Sequence, residues 1–168
     1  MSERAAFETP QLILRPSEPA DVDALFAMQS DEDAMRYTHV ARDRDATSRF
    51  LDAYAARFDE DGFAPWVAVM KSDGRIVGWG GLCKDPDAPE WGPEVAYFFH
   101  RQYWGRGLAT ELVRAALTCA FRDLELPEVF AFTRPANIAS KRVLAKTGFR
   151  RLGYVAELGR DRYVIGRF

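Results

Sequence analysis

Cysteine and histidine are scarce in this chain, with two of each among 168 residues. Cys83 and Cys119 form no CxxC pair and have no histidine nearby, which excludes a zinc ribbon or a dithiol redox motif. They read as two small buried thiols of a reducing compartment. Distant histidines and scattered carboxylates give no metal-ligand spacing, so no metal is expected. Long apolar runs are missing too. Nothing is long enough to span a bilayer, and the opening MSERAAFETP lacks the apolar region of a signal peptide. Neither sign of charge dominates: 23 basic against 25 acidic residues leave a net charge of −2, which does not favour a nucleic-acid binder. Repeats, low-complexity tracts and long linkers are absent as well. What is there is an ordinary globular composition, 48% hydrophobic and 29% charged. It predicts a single cytoplasmic domain over residues 1–168.

Strand and helix patterns alternate along the chain. TPQLILRP reads as a strand stopped by Pro16, and SEPADVDALFAMQSD as a helix capped by Ser17. DRDATSRFLDAYAARFDE places Phe50, Leu51, Tyr54 and Phe58 along one helical side. APWVAVMKSDGRIVGWGGLCK is a hairpin turning at Asp73-Gly74. WGPEVAYFF is apolar on both faces, as a central strand would be. A helix with a broad apolar face from Ala109 to Ala120 follows. PEVFAFTRP is a strand, and NIASKRVLAKTGF a short helix started by Asn137 and stopped by Gly148. RRLGYVAE and DRYVIGRF close the chain as strands. The pattern predicts an α/β (α+β) domain around one sheet.

The junction FFHRQYWGRGLATELV carries the chemistry. A strand, two glycines and a helix start make an anion site plausible on physical grounds. The first helical turn has free amides and the positive end of the dipole, and a glycine lets a phosphate approach the backbone. Arg101 and Arg106 add charge. A tight turn with solvated arginines would produce the same letters. A P-loop is excluded, because Leu108 follows Gly107 where lysine is required. A dinucleotide-binding fingerprint is excluded too, because Thr110 holds the third glycine position and FAFTRP offers no acidic residue.

Gln102-Tyr103-Trp104-Gly105-Arg106-Gly107 resembles the acyl-CoA loop Q/R-x-x-G-x-G/A of the GCN5-related N-acetyltransferases, the GNAT family. Asn137-Ile138-Ala139-Ser140, followed by Leu144, Lys146, Gly148 and Phe149, is similar to that family's second cofactor element. LILRP, YWGRGLATE and NIAS stand in the order typical of the branch containing ribosomal-protein N-terminal acetyltransferases. The resemblance runs from about residue 9 to the C-terminus. It implies a single mixed, mostly antiparallel sheet flanked by helices. It also implies acetyl-CoA as cosubstrate. Backbone groups of Phe98 and Phe99 would meet the pantetheine arm. Gln102 and the stretch Trp104, Gly105, Arg106, Gly107, Leu108, Ala109 and Thr110 would cradle the pyrophosphate. Asn137, which also reads as a plain helix cap, would hold the pantetheine from the other side.

Acyl transfer to an amine needs a neutral amine, a stabilised oxyanion and a proton for the leaving sulfur. A backbone N–H near Phe99 is the simplest oxyanion donor. An α-amine with pKa ~7.7–8 is partly neutral at pH 7, whereas a lysine amine at ~10.4 is almost wholly charged. Glu94, a lone carboxylate in an apolar strand, is the candidate base; a structural ion pair is the alternative. His39 and His100 are the other candidates. Many family members carry a tyrosine seven residues after the second-motif asparagine, near the sulfur; this chain has Leu144 there. By the same resemblance Ser140 becomes the candidate proton donor, with Tyr103 a weaker one. Ser140 would equally suit a purely structural place in the first helical turn.

The expected activity is N-acetylation of a primary amine, either a protein N-terminus or a small molecule, by a monomer or homodimer. An acyl-CoA-binding module with weak or lost catalysis is the alternative, and an interaction domain with an incidental glycine turn a third. Tyr37, Phe63, Trp66 and Trp79 are candidates for an aromatic acceptor pocket.

Overall fold

The computed structural model describes residues 6–167. The ends of the expected domain, Met1–Ala5 and Phe168, lie outside the described residues. The strands are β1 Phe7–Glu8, β2 Leu12–Arg15, β3 Trp66–Met70, β4 Ile76–Cys83, β5 Glu94–Phe99, β6 Glu128–Thr133, β7 Arg150–Val155 and β8 Arg160–Gly166. The helices are α1 Val22–Gln29, α2 Arg44–Ala56, α3 Phe58–Asp61, α4 Leu108–Thr118 and α5 Ile138–Lys146. One eight-stranded sheet runs in the order β1-β2-β3-β4-β5-β6-β8-β7. Every neighbouring pair is antiparallel except β5 with β6.

Apolar side chains cover both faces of this sheet. Leu12, Ala68, Val95 and Phe99 pack on one face with Leu112, Val113, Ala116 and Leu144 of α4 and α5. Val67, Trp79 and Phe98 pack on the other with Leu25 and Met28 of α1 and Leu51 of α2. This two-sided burial is why β5 reads as continuously apolar, and β5 is the fifth of the eight strands. Phe63 and Trp66, proposed from sequence for an acceptor pocket, belong to the core on the α4 side.

Helix boundaries follow local chemistry. Asp43 caps α2, its carboxylate accepting from Ala46 N–H at 2.7 Å. Ser17 does not cap the α1 segment. The chain instead enters through a 3-10 turn, Pro19–Asp21, in which Asp21 accepts from Glu18 N–H at 2.7 Å and pairs with Arg15 at 2.8 Å. A buried carboxylate with an arginine in reach outcompetes a serine hydroxyl for this role.

The junction of β5 and β6 positions the candidate site. Among the described residues the two strands share one register pair, Glu94 with Phe130, and then diverge. His100 N–H donates to Val77 O at 2.8 Å, which fixes the alternation of the β4–β5 ladder. Glu94, Ala96 and Phe98 therefore direct their backbone groups to β4. Val95, Tyr97 and Phe99 direct theirs into the wedge beside β6. The expected backbone role of Phe98 is corrected on this ground: its amide and carbonyl belong to the β4 ladder, and Tyr97 and Phe99 face the gap.

Candidate active site

A cavity of about 670 Å³ opens between the end of β5, the N-terminus of α4 and α5. Trp104, Gly105, Gly107, Leu108, Ala109 and Thr110 line one side of it, and Asn137, Ser140, Arg142 and Lys146 another. Gly107 takes φ +77° as the cap of α4, a conformation that costs an L side chain about 1–2 kcal/mol. Glu111 N–H makes the helix's first bond, to Gly107 O at 3.1 Å. The amides of Leu108, Ala109 and Thr110 precede that bond and point out of the helix end. A Cβ placed on Gly105 or Gly107 would meet no atom within 4 Å. Both glycines thus face open space rather than a packed wall, as a cradle for a phosphate requires.

The loop is held from behind. Glu111 accepts from Thr9 Oγ1 at 2.6 Å, from Gln11 N–H at 2.9 Å and from Gln11 Nε2. Gln11 Nε2 also donates to Arg106 O at 3.1 Å. Burial pushes the Glu111 carboxyl up, but these hydrogen bonds more than offset it and leave the group below the usual carboxylate range.

A second cavity of about 590 Å³ lies on the α1–α2 side. Phe50, Tyr54, Trp79 and Phe98 form an aromatic wall, and Glu94, Asp85, Arg49 and Arg160 supply charge. Glu94 has no hydrogen-bond or ion-pair partner among the described residues. Burial, reinforced by the Asp85 carboxylate and partly opposed by Arg160, pushes it up to about 7. At that value the carboxyl is both acid and base near neutral pH.

The two cavities share Tyr37, Thr38, Tyr97, Phe98, Asn137 and Ser140. Tyr97 Oη lies 2.9 Å from Ser140 Oγ at this shared wall. Asn137 caps α5, its Oδ1 accepting from Ser140 N–H at 3.2 Å.

Residues 11–150 match the family described as the acetyltransferase (GNAT) domain. The chain belongs to the GNAT acetyltransferases. YjcK of Bacillus subtilis, named a probable N-acetyltransferase, is 27% identical over 148 residues, covering 84% of this chain and 82% of the relative. The GNAT-family acetyltransferase of Bacillus anthracis superposes with a TM-score of 0.80 at 24% identity, covering 96% of this chain and 98% of that one. RimL, the ribosomal L7/L12 alpha-N-protein acetyltransferase solved with coenzyme A, superposes with a TM-score of 0.78 at 15% identity, covering 97% and 98%. This acetyltransferase is thus an enzyme of acyl transfer from acetyl-CoA, with the single-sheet fold of its relatives.

The structure sorts the residues expected from sequence. In the acetyltransferase loop, Gln102 and Arg106 stand outside the cavity lining. Arg106 lies over the Tyr103 ring, 4.9 Å from guanidinium carbon to centroid. Tyr103 packs against His100 and Arg106 rather than beside Trp104. Trp104 is exposed, with its indole N–H on Phe99 O at 2.9 Å. His100 accepts from Gln102 N–H at 3.2 Å and lines neither cavity, whereas His39 lines the second. Tyr37 and Trp79 line the second cavity, and Trp79 is also part of the core on that face. Sequence reasoning missed Tyr97, hidden in an apolar run, and the Glu111 anchor. Glu111 reads as one more solvated charge, because its partners are about 100 residues away.

Proposed function

We propose that this acetyltransferase acetylates a primary amine, either a protein α-amine or a small-molecule amine, at the wall shared by its two cavities. The observation that carries the reading is that shared wall. It puts Ser140 in both cavities and Glu94 in the second, so a thioester from one side and an amine from the other meet between them. Acetyl-CoA binds in the first cavity. The pyrophosphate lies against the α4 amides and the pantetheine along the gap-facing backbone of Tyr97 and Phe99. Asn137 closes the other side. Glu94 takes the proton that the attacking amine releases, directly or through water. Ser140 serves the departing sulfur. The aromatic wall accepts the apolar body of the amine.

The test is acetyl-CoA-dependent thiol release with a panel of free peptide N-termini and small amines, with products read by mass. Acetylated amine formed at a rate proportional to enzyme supports the reading. Tight coenzyme A binding with no product from any amine would leave the chain a binding module instead.

A further inference from the structure

The proton donor expected in this family is a tyrosine on the helix that here becomes α5, and this chain has Leu144 at that position. Leu144 is 1% exposed, packed between α5 and the sheet, and borders the second cavity but not the first. No hydroxyl is available from it. A serine alone is a weak substitute, because an aliphatic hydroxyl has no pKa in the range of protein side-chain acids, whereas a phenol ionises near pH ~10.

A phenol is present, on a different element. Tyr97 stands on β5, and its hydroxyl contacts Ser140 Oγ at 2.9 Å. Both residues line both cavities. Two features hold the pair in place. Ser140 N–H is bound to the Asn137 cap. Tyr97 stands opposite Gly80 in the β4–β5 register, and a Cβ on Gly80 would fall 2.6 Å from Tyr97 Cβ, so only glycine leaves room there. Burial raises the Tyr97 phenol above its ordinary value and the bond to Ser140 lowers it in part, so the group is protonated at neutral pH.

We propose that Tyr97 is the acid of this reaction and that Ser140 relays its proton to the leaving sulfur. The inference rests on the acetyl-transfer reading above. As the amine nitrogen bonds to the acetyl carbon, the carbon–sulfur bond breaks and its electron pair stays on sulfur. Ser140 gives its hydroxyl proton to sulfur and takes that of Tyr97. The surplus proton of the amine goes to Glu94, and water returns it to the Tyr97 phenolate. One proton leaves the amine and one arrives on the thiol, so the enzyme is unchanged.

The experiment uses hydroxylamine as the acceptor. It is small and neutral at pH 7, so it makes little demand on Glu94 or on the shape of the second cavity. Thiol release from saturating acetyl-CoA is compared for wild type, Tyr97→Phe, Ser140→Ala, Ser140→Thr and the double variant Tyr97→Phe/Ser140→Ala. A thiol of pKa ~8.5 needs only modest help, so each single loss of hydroxyl should lower kcat about 10-fold, the weak end of positioned proton transfer. The double variant should be no worse than the poorer single one, because both act in one relay. Ser140→Thr should recover most of the Ser140→Ala loss. The acetyl-CoA-induced rise in Tm should persist in all of them, which shows that fold and cofactor site are intact. Wild-type kcat in Tyr97→Phe, a loss confined to the KM for acetyl-CoA, or multiplied losses in the double variant would each overturn the relay. Failure of the wild type to release thiol above the uncatalysed rate would instead overturn the transferase reading beneath it.

Discussion

Glu94 stands opposite Phe130 at the single register position that β5 and β6 share among the described residues. It therefore occupies the apex of the wedge, the last point before the strands part. A carboxylate there is walled by strands on both sides yet has no cation in contact with it among the described residues. That position explains both its raised pKa and its access to the second cavity.

The position gives Glu94→Gln opposite effects on activity and stability. Removing the base should lower kcat at pH 7 by ~10²–10⁴-fold, with the loss shrinking as pH rises and the amine deprotonates unaided. Stability should move the other way. The carboxyl titrates near 4.5 when unfolded and at about 7 in the folded protein. Between those values the folded state holds the extra proton, so its advantage is lost as pH rises through about 7. The ionised group then costs on the order of 3 kcal/mol. Thermal melts of Glu94→Gln and wild type should agree near pH 4.5. They should separate in favour of the variant up to about pH 7 and stay separated above it. Equal Tm values at pH 8 would show that Glu94 is not buried as charge.

Gly107→Val should abolish the acetyl-CoA-induced rise in Tm while the protein still folds. The left-handed cap adds strain of about 1–2 kcal/mol, and the new side chain projects into the space where the phosphate approaches. Isothermal calorimetry with acetyl-CoA is the direct measurement. Unchanged affinity would remove the loop from the cofactor site.

Glu111→Ala should weaken acetyl-CoA binding although Glu111 lines neither cavity. It strands the Gln11 amide and the Thr9 hydroxyl, a loss of about 1–3 kcal/mol, and frees the loop from its support. Because hydrogen bonding holds the carboxyl below its ordinary range, its contribution is present above pH 4.5 and is lost as pH falls through the lower folded value. Melting curves between pH 3 and pH 6 should converge for variant and wild type at the acid end.

Leu144→Tyr should not restore activity to Ser140→Ala. Leu144 is 1% exposed and borders the second cavity but not the first, where the thioester would lie, and overpacking it should cost about 1–3 kcal/mol. Recovery of turnover in the double variant would show that the position opens onto the thioester after all.

The sequence made the loop, the second cofactor element and the sheet's class legible because each is local. Glycines mark a turn, Asn137 marks a helix start, and alternation marks strands. Tyr97 was not legible. Its partner is 43 residues away, and nothing in VAYFF distinguishes a core aromatic from one whose hydroxyl reaches a serine. The aromatic candidates divided for the same reason. Trp66 and Trp79 both read as strand aromatics, but they fall on opposite faces of the sheet, one in the core under α4 and one beside the second cavity.

The odd-numbered residues of β5 have a further consequence. At Tyr97 and Phe99 their amides and carbonyls face a place where the next strand has already turned away, and Trp104 covers one carbonyl from the side. The sheet is in this sense short by one strand, and an extended ligand lying in the wedge would supply it. Such a molecule is a transient structural member as well as a reactant. The polypeptide would then be least well knit in the interval after product departs, and amide exchange along β5 should be fastest at that stage of the cycle.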